Sequence, residues 1–136
     1  MGMHISHTHV WVKDQNEALR FYTEKLGFEI RKDISAGDYR WLTVGLKDQP
    51  NLELGLEALA PGALLNAEDA EILTRLHDNS KLGGILFETD DVQGDYETLK
   101  ARGVEFRQPP TDQGYGIIEA IFTDNSGNWF RLQQYK

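Results

Sequence analysis

Residues 4–30, HISHTHVWVKDQNEALRFYTEKLGFEI, decide the fold. They read as a strand, a capped helix and the opening of a second strand. Side chains alternate across a strand, so over His4–Val12 one face carries Ile5, His7, His9 and Trp11. The other carries Ser6, Thr8, Val10 and Val12. Two imidazoles and an indole on one face are more than a plain core needs. Ser6 falls on the face opposite His7, which rules against an activated serine there. Asp14 has the place of a helix N-cap, and Glu17, three residues on, completes a capping box. Leu19, Tyr22 and Leu26 form one apolar stripe at helical spacing. Gly27 stands where a left-handed C-terminal stop is expected, and Phe28 opens the next strand.

Outward from this segment the same order returns. The first half reads strand, helix, then strands at Phe28–Ile34, Tyr39–Gly45 and Asn51–Leu56. Asn66 caps a connecting helix over Ala67–Asp78. After Gly83-Gly84 come a strand at Ile85–Glu88, a helix begun by Asp90 or Asp91, and strands at Val104–Arg107, Ile117–Thr123 and Trp129–Gln133. A shift of 76 residues carries Asp14 onto Asp90, Gly27 onto Gly103 and Glu29 onto Glu105. Shared caps are a strong repeat signal, because each has a positional reason. The expected organisation is a single α+β domain over residues 1–136. It consists of two βαβββ modules at about 4–60 and 82–136, with a linker helix at about 66–78. Modules of this size cannot each close a core. They are expected to pair into a curved, partly open eight-stranded sheet with helices outside and a concave face for a ligand. His7, His9, Trp11 and Glu53 are candidates for that face. Pro109–Gly116 reads as the most flexible loop. Within it, Tyr115 between two glycines is a candidate lid, with an ordinary hairpin loop as the alternative. His4 and His77 are assigned to the surface, and the three tryptophans to core or dimer contacts.

Composition narrows the chemistry. The chain has 136 residues, no cysteine and a net charge of −8. Disulfides, thiolate metal sites and cysteine nucleophiles are therefore excluded. No Lys/Arg run is long enough to follow a phosphate backbone, so neither nucleic acid nor an anionic membrane is an expected partner. No apolar run approaches the roughly 20 residues of a membrane span, and the N-terminus lacks a signal-peptide pattern. The expected location is the cytoplasm. No phosphate-binding glycine loop and no Gly-x-Ser-x-Gly elbow occurs.

HTHVWVKD with ALRFYTEKLGFE, the NLEL strand, ARGVEF after the second helix and the closing DNSGNWFRL resemble the vicinal oxygen chelate (VOC) superfamily. This is the glyoxalase, bleomycin-resistance protein and extradiol dioxygenase family. The resemblance spans nearly the whole chain. It departs from the usual Asp-Pro-x-Gly-Asn turn in having Asn125 for the proline. It implies the paired-module fold and a homodimer. Family metalloenzymes take one ligand from the first and fourth strand of each module. Carried over, those positions are His7, Glu53, Gly84 and Arg131. Glycine has no donor, and arginine keeps a positive charge and does not ligate. The resemblance therefore implies a protein that binds a small organic molecule without the usual metal, and argues against glyoxalase I activity. Arg131 is expected to face Glu53 across the pseudo-twofold axis and stand in for the cation. The expected pocket comprises His7, His9, Trp11, Glu53, Tyr115 and Arg131, with no cofactor. The alternative is a VOC enzyme: a lyase, isomerase or dioxygenase. In a metal-dependent form, His7 and Glu53, with His9 as third candidate, would hold a divalent ion. In a metal-free form, a histidine would act as base and Arg131 would bind an oxyanion.

Overall fold

The computed structural model describes residues 2–136. Its strands are β1 (His7–Val12), β2 (Glu29–Ala36), β3 (Tyr39–Gly45), β4 (Glu53–Ala58), β5 (Leu86–Glu88), β6 (Glu105–Asp112), β7 (Ile117–Thr123) and β8 (Trp129–Tyr135). Its helices are α1 (Gln15–Arg20), α2 (Ala67–Asp78) and α3 (Val92–Ala101). The two βαβββ modules are present. Hydrogen bonding divides their strands into two four-stranded sheets: sheet A, ordered β1-β4-β3-β2, and sheet B, ordered β5-β8-β7-β6. In each sheet the first strand pairs in parallel with the last of its module, and the other pairings are antiparallel.

Alternation sets the faces. Val10, Val12, Leu42, Val44, Leu54 and Leu56 are buried on the side that α1 covers. Ala120, Phe122, Phe130 and Leu132 do the same on sheet B, and one hydrophobic cluster draws on both modules. Tyr22 joins them. Its ring packs edge-on against Phe28 and Phe130, and its hydroxyl donates to Asp124 at 2.7 Å. Burial first, then the charge and hydrogen bond of Asp124, pushes the Tyr22 phenol well above its ordinary range. The opposite, helix-free faces of both sheets are left for function.

Among the described residues the caps form with two departures: Glu17 returns no side-chain bond to complete the capping box, and the second module's cap is Asp91, one residue past the shift of 76. Asp14 Oδ1 accepts from the Glu17 amide at 2.9 Å, Asn66 from that of Asp69 at 2.7 Å and Asp91 from that of Gly94 at 3.0 Å. Gly27 and Gly103 close their helices at φ +79° and +92°. The helix stripe needs correction. After Arg20 the chain widens into a π turn, Phe21–Lys25, so Ala18, Phe21 and Tyr22 are the buried residues. Leu19 and Leu26 pack only partly. A π turn is a rare local choice, and here it places two consecutive aromatics in the core.

Other expectations also move. β1 begins at His7, three residues later than expected, and β6 runs on through Pro109 and Pro110 to Asp112. Bulges between Phe106 and Thr111 admit the prolines, as strand prolines require. The first half of the expected flexible loop, Pro109–Asp112, is therefore strand. Gly114 and Gly116, both at positive φ, close a hairpin held by the Gln113 amide on the Ile117 carbonyl. His77 is not at the surface. It is 2% exposed, with Nε2 2.9 Å from Asn128 Oδ1.

Candidate functional site

His7, His9, Glu53, Gly55, Glu57, Tyr39, Trp41, Thr43 and Lys32 meet on the helix-free face of sheet A. Cross-strand pairing sets His7 beside Glu53, His9 beside Gly55 and Trp11 beside Glu57. Thr43 pairs with Gly55 on the other side and with Lys32 beyond. The sequence placed His7, His9, Trp11 and Glu53 together, and the structure agrees. It missed Lys32, Thr43, Tyr39 and Glu57, because strand register across a sheet is not written in any one segment.

Glu53 is the electrostatic centre. Lys32 Nζ donates to its two oxygens at 2.8 and 2.7 Å, Thr43 Oγ1 donates at 2.7 Å, and His7 Nε2 stands 3.4 Å away. The Lys32 hydrogen bonds, opposed by burial and aided by Thr43, hold its carboxyl below the usual carboxylate range. Lys32 also lies 5.1 Å from the centre of the Trp41 ring. His7 lies 5.9 Å from Trp41, and His9 meets Trp11 edge-on at 5.6 Å. Gly55 lies buried beneath them, with the His9 and Glu57 side chains about its Cα.

Three expectations are corrected here and a fourth is narrowed. Arg131 does not face Glu53 within one chain. Its guanidinium lies 5.4 Å from the Trp129 ring centre, and Lys32 occupies the carboxylate instead. Gly84 is not the counterpart of His7. His7 pairs with Glu53 and Leu86 pairs with Arg131, so strand register makes Leu86 the equivalent position. A Cβ on Gly84 would fall 1.8 Å from the Trp129 carbonyl oxygen, so Gly84 is reserved for a close backbone approach. Ser6 Oγ sits 2.7 Å from His7 Nδ1, because Ser6 precedes β1 and strand alternation does not govern it. The resulting order of hydroxyl, imidazole and carboxylate is weak, since Glu53 is already committed to Lys32. Of the two places expected for the tryptophans, core or dimer contact, the core is ruled out within one copy. Trp41 is 37% exposed, and Trp11 and Trp129 are half-buried. Tyr115, 66% exposed, tips the β6–β7 hairpin.

The donor set does not fit the family metal. Leu86 carries no donor and Arg131 repels a cation. Glu53 is bound at both oxygens by an ammonium, and His9 is turned to Trp11. Among the described residues, no three His, Asp or Glu side chains assemble into a metal-holding group.

The helix-free face of sheet A thus combines aromatic surface with a few oriented polar groups, a composition common in small-molecule sites. The chain belongs to the Glyoxalase/Bleomycin resistance protein/Dioxygenase superfamily, whose model matches residues 4–132. Within it, the uncharacterized protein YurT of Bacillus subtilis (strain 168) is 38% identical over 133 residues, covering 97% of this chain and 99% of YurT. The crystal structure of UcmS2 superposes with a TM-score of 0.91 at 39% identity, covering 98% of each chain. That of TnmS3, an antibiotic-binding protein from Streptomyces sp. CB03234, superposes at 0.76 and 31% identity, covering 100% of this chain and 99% of TnmS3. No helix among the described residues is long and apolar enough to cross a membrane.

Proposed function

We propose that this chain binds a small organic molecule with a flat apolar surface, without a metal. We further propose that it does so as a homodimer in which sheet A of one copy faces sheet B of the other. The observation that carries the reading is the aromatic helix-free face of sheet A, on which Trp41 stays 37% exposed. His7, His9 and Trp11 stand on β1, and Trp41 stands across β4 on β3 with its ring 5.9 Å from that of His7. Ile34 and Trp41 on sheet A, and Leu86 and Tyr135 on sheet B, are large apolar side chains left exposed by a single copy. Ile34 and Trp41 lie directly opposite on β2 and β3, and exposed apolar surface marks interaction sites. The antibiotic-binding function of TnmS3, similar along its full length, supports the same reading.

The test has two arms. Sedimentation equilibrium is expected to show a dimer, and planar polycyclic compounds are expected to quench tryptophan fluorescence in wild type but much less in Trp41→Ala. A protein that stays monomeric at high concentration and shows no quenching overturns the reading. So does near-stoichiometric transition metal in protein purified without a tag or metal resin.

A further inference from the structure

Among the described residues, each helix-free face holds one buried carboxylate without a cation partner. On sheet B it is Glu119, 7% exposed, paired across to Gln133 on β8 and Thr111 on β6. Its neighbour Ala120 points into the core, so Glu119 points to the helix-free side. Its main-chain carbonyl accepts from Gln108, but its carboxylate makes no hydrogen bond or ion pair with any described residue. Its oxygens are not among the sealed, unpartnered polar atoms, so they open toward the surface. On sheet A the group is Glu57, 9% exposed, whose partner is the Tyr39 phenol at 2.8 and 3.2 Å. Burial, then the hydrogen bond and charge of Glu57, pushes that phenol up to about 12, so Tyr39 stays a neutral donor.

The contrast with Glu53 is direct. Glu53 is also sheltered, and Lys32 lies on it. Glu119 has a cation within diagonal reach, because Arg131 sits two residues before Gln133 on β8. That guanidinium is turned onto Trp129 instead. A sheltered carboxylate without a counter-charge is costly to hold, and a cation docking on this face would relieve that cost. The net charge of −8 draws cations toward the chain generally.

We propose that the ligand carries a protonated amine or equivalent cation, and that Glu119, with Glu57 on the facing sheet, selects it. The inference rests on the binding function proposed above. It adds a chemical class to the flat body proposed above for the Trp41 face.

The test uses a matched pair of probes. Daunomycin joins a flat ring system to a protonated amino sugar, and N-acetyldaunomycin has the same skeleton without the charge. Calorimetric titration of the wild-type protein is expected to favour the amine by about tenfold or more. Glu119→Gln is expected to bring that ratio below about threefold, with a smaller drop for Glu57→Gln. In wild type the ratio should also shrink with added salt, a readout that needs no variant to fold. Equal affinities in wild type overturn the cation preference and leave the binding function standing. No binding of either probe overturns both. A ratio unmoved by either substitution, with dimer dissociation changed instead, assigns the carboxylates to the second copy and overturns the proposal.

Discussion

Glu53 on sheet A and Arg131 on sheet B occupy the same register, each beside the first strand of its module, yet their surroundings are opposite. Glu53 is gripped by Lys32 and Thr43 and approached by His7. Arg131 makes no side-chain hydrogen bond or ion pair among the described residues and rests on Trp129. The repeat therefore preserves what holds the chain in shape, the caps and the strand order, and lets the exposed faces diverge. The backbone scheme is constrained by obligatory hydrogen bonding. The helix-free face is constrained only by what meets it.

The comparison is broken most severely at the glycines. Gly84→Ala puts its Cβ against the Trp129 carbonyl and Phe130, neither of which can yield, and is expected to cost about 3 kcal/mol. Gly55→Ala on sheet A meets its nearest atoms at 3.4–3.5 Å and should stay within about 1 kcal/mol. Urea unfolding of the two variants side by side checks the difference, and equal losses would contradict the assigned close approach at Gly84. Next in size, Tyr22→Phe leaves Asp124 without its phenol donor. It is expected to cost about 1–3 kcal/mol, read as a lower Tm that loosens both modules together.

Lys32→Met sharpens the electrostatic half of the comparison. Glu53 titrates below its unfolded value, so its stabilising contribution is complete above the ordinary carboxylate range and is lost as pH falls through the lowered value. Removing Lys32 removes the largest cause of that lowering and leaves burial to oppose it. The acid limb of a Tm profile, taken from about pH 7 to about pH 3, should then begin at a higher pH than in wild type. An unchanged acid limb would mean that Lys32 does not hold Glu53 in solution. The smallest effect belongs to Arg131→Ala, expected within about 0.5 kcal/mol of wild type because the side chain is exposed and unpaired. A large loss would show that Arg131 meets a carboxylate, on this chain or a second copy.

Much of the fold was legible because its signals are local. Asp14, Asn66 and Asp91 each cap within three residues, and Gly27 and Gly103 each stop a helix by their own φ. The π turn after Arg20 was not legible, because a helix widens there to seat Phe21 and Tyr22 against strands far along the chain. Burial of His77 depends on Asn128, which is distant in sequence. The proline-rich stretch read as a loop because its bulges exist only opposite β7.

The candidate site divides the same way. Period-two alternation in one strand sufficed to group His7, His9 and Trp11, and the NLEL strand marked Glu53. Identifying Lys32 rather than Arg131 as the cation on Glu53, Leu86 rather than Gly84 as the counterpart of His7, and Glu119 as a carboxylate without a partner required the tertiary structure. The sequence by itself determined elements, caps and the facing of each strand, since these follow from neighbours a few residues apart. Which strand lies beside which, and at what register, is set by long-range pairing, and that pairing chooses every charge partner on the face.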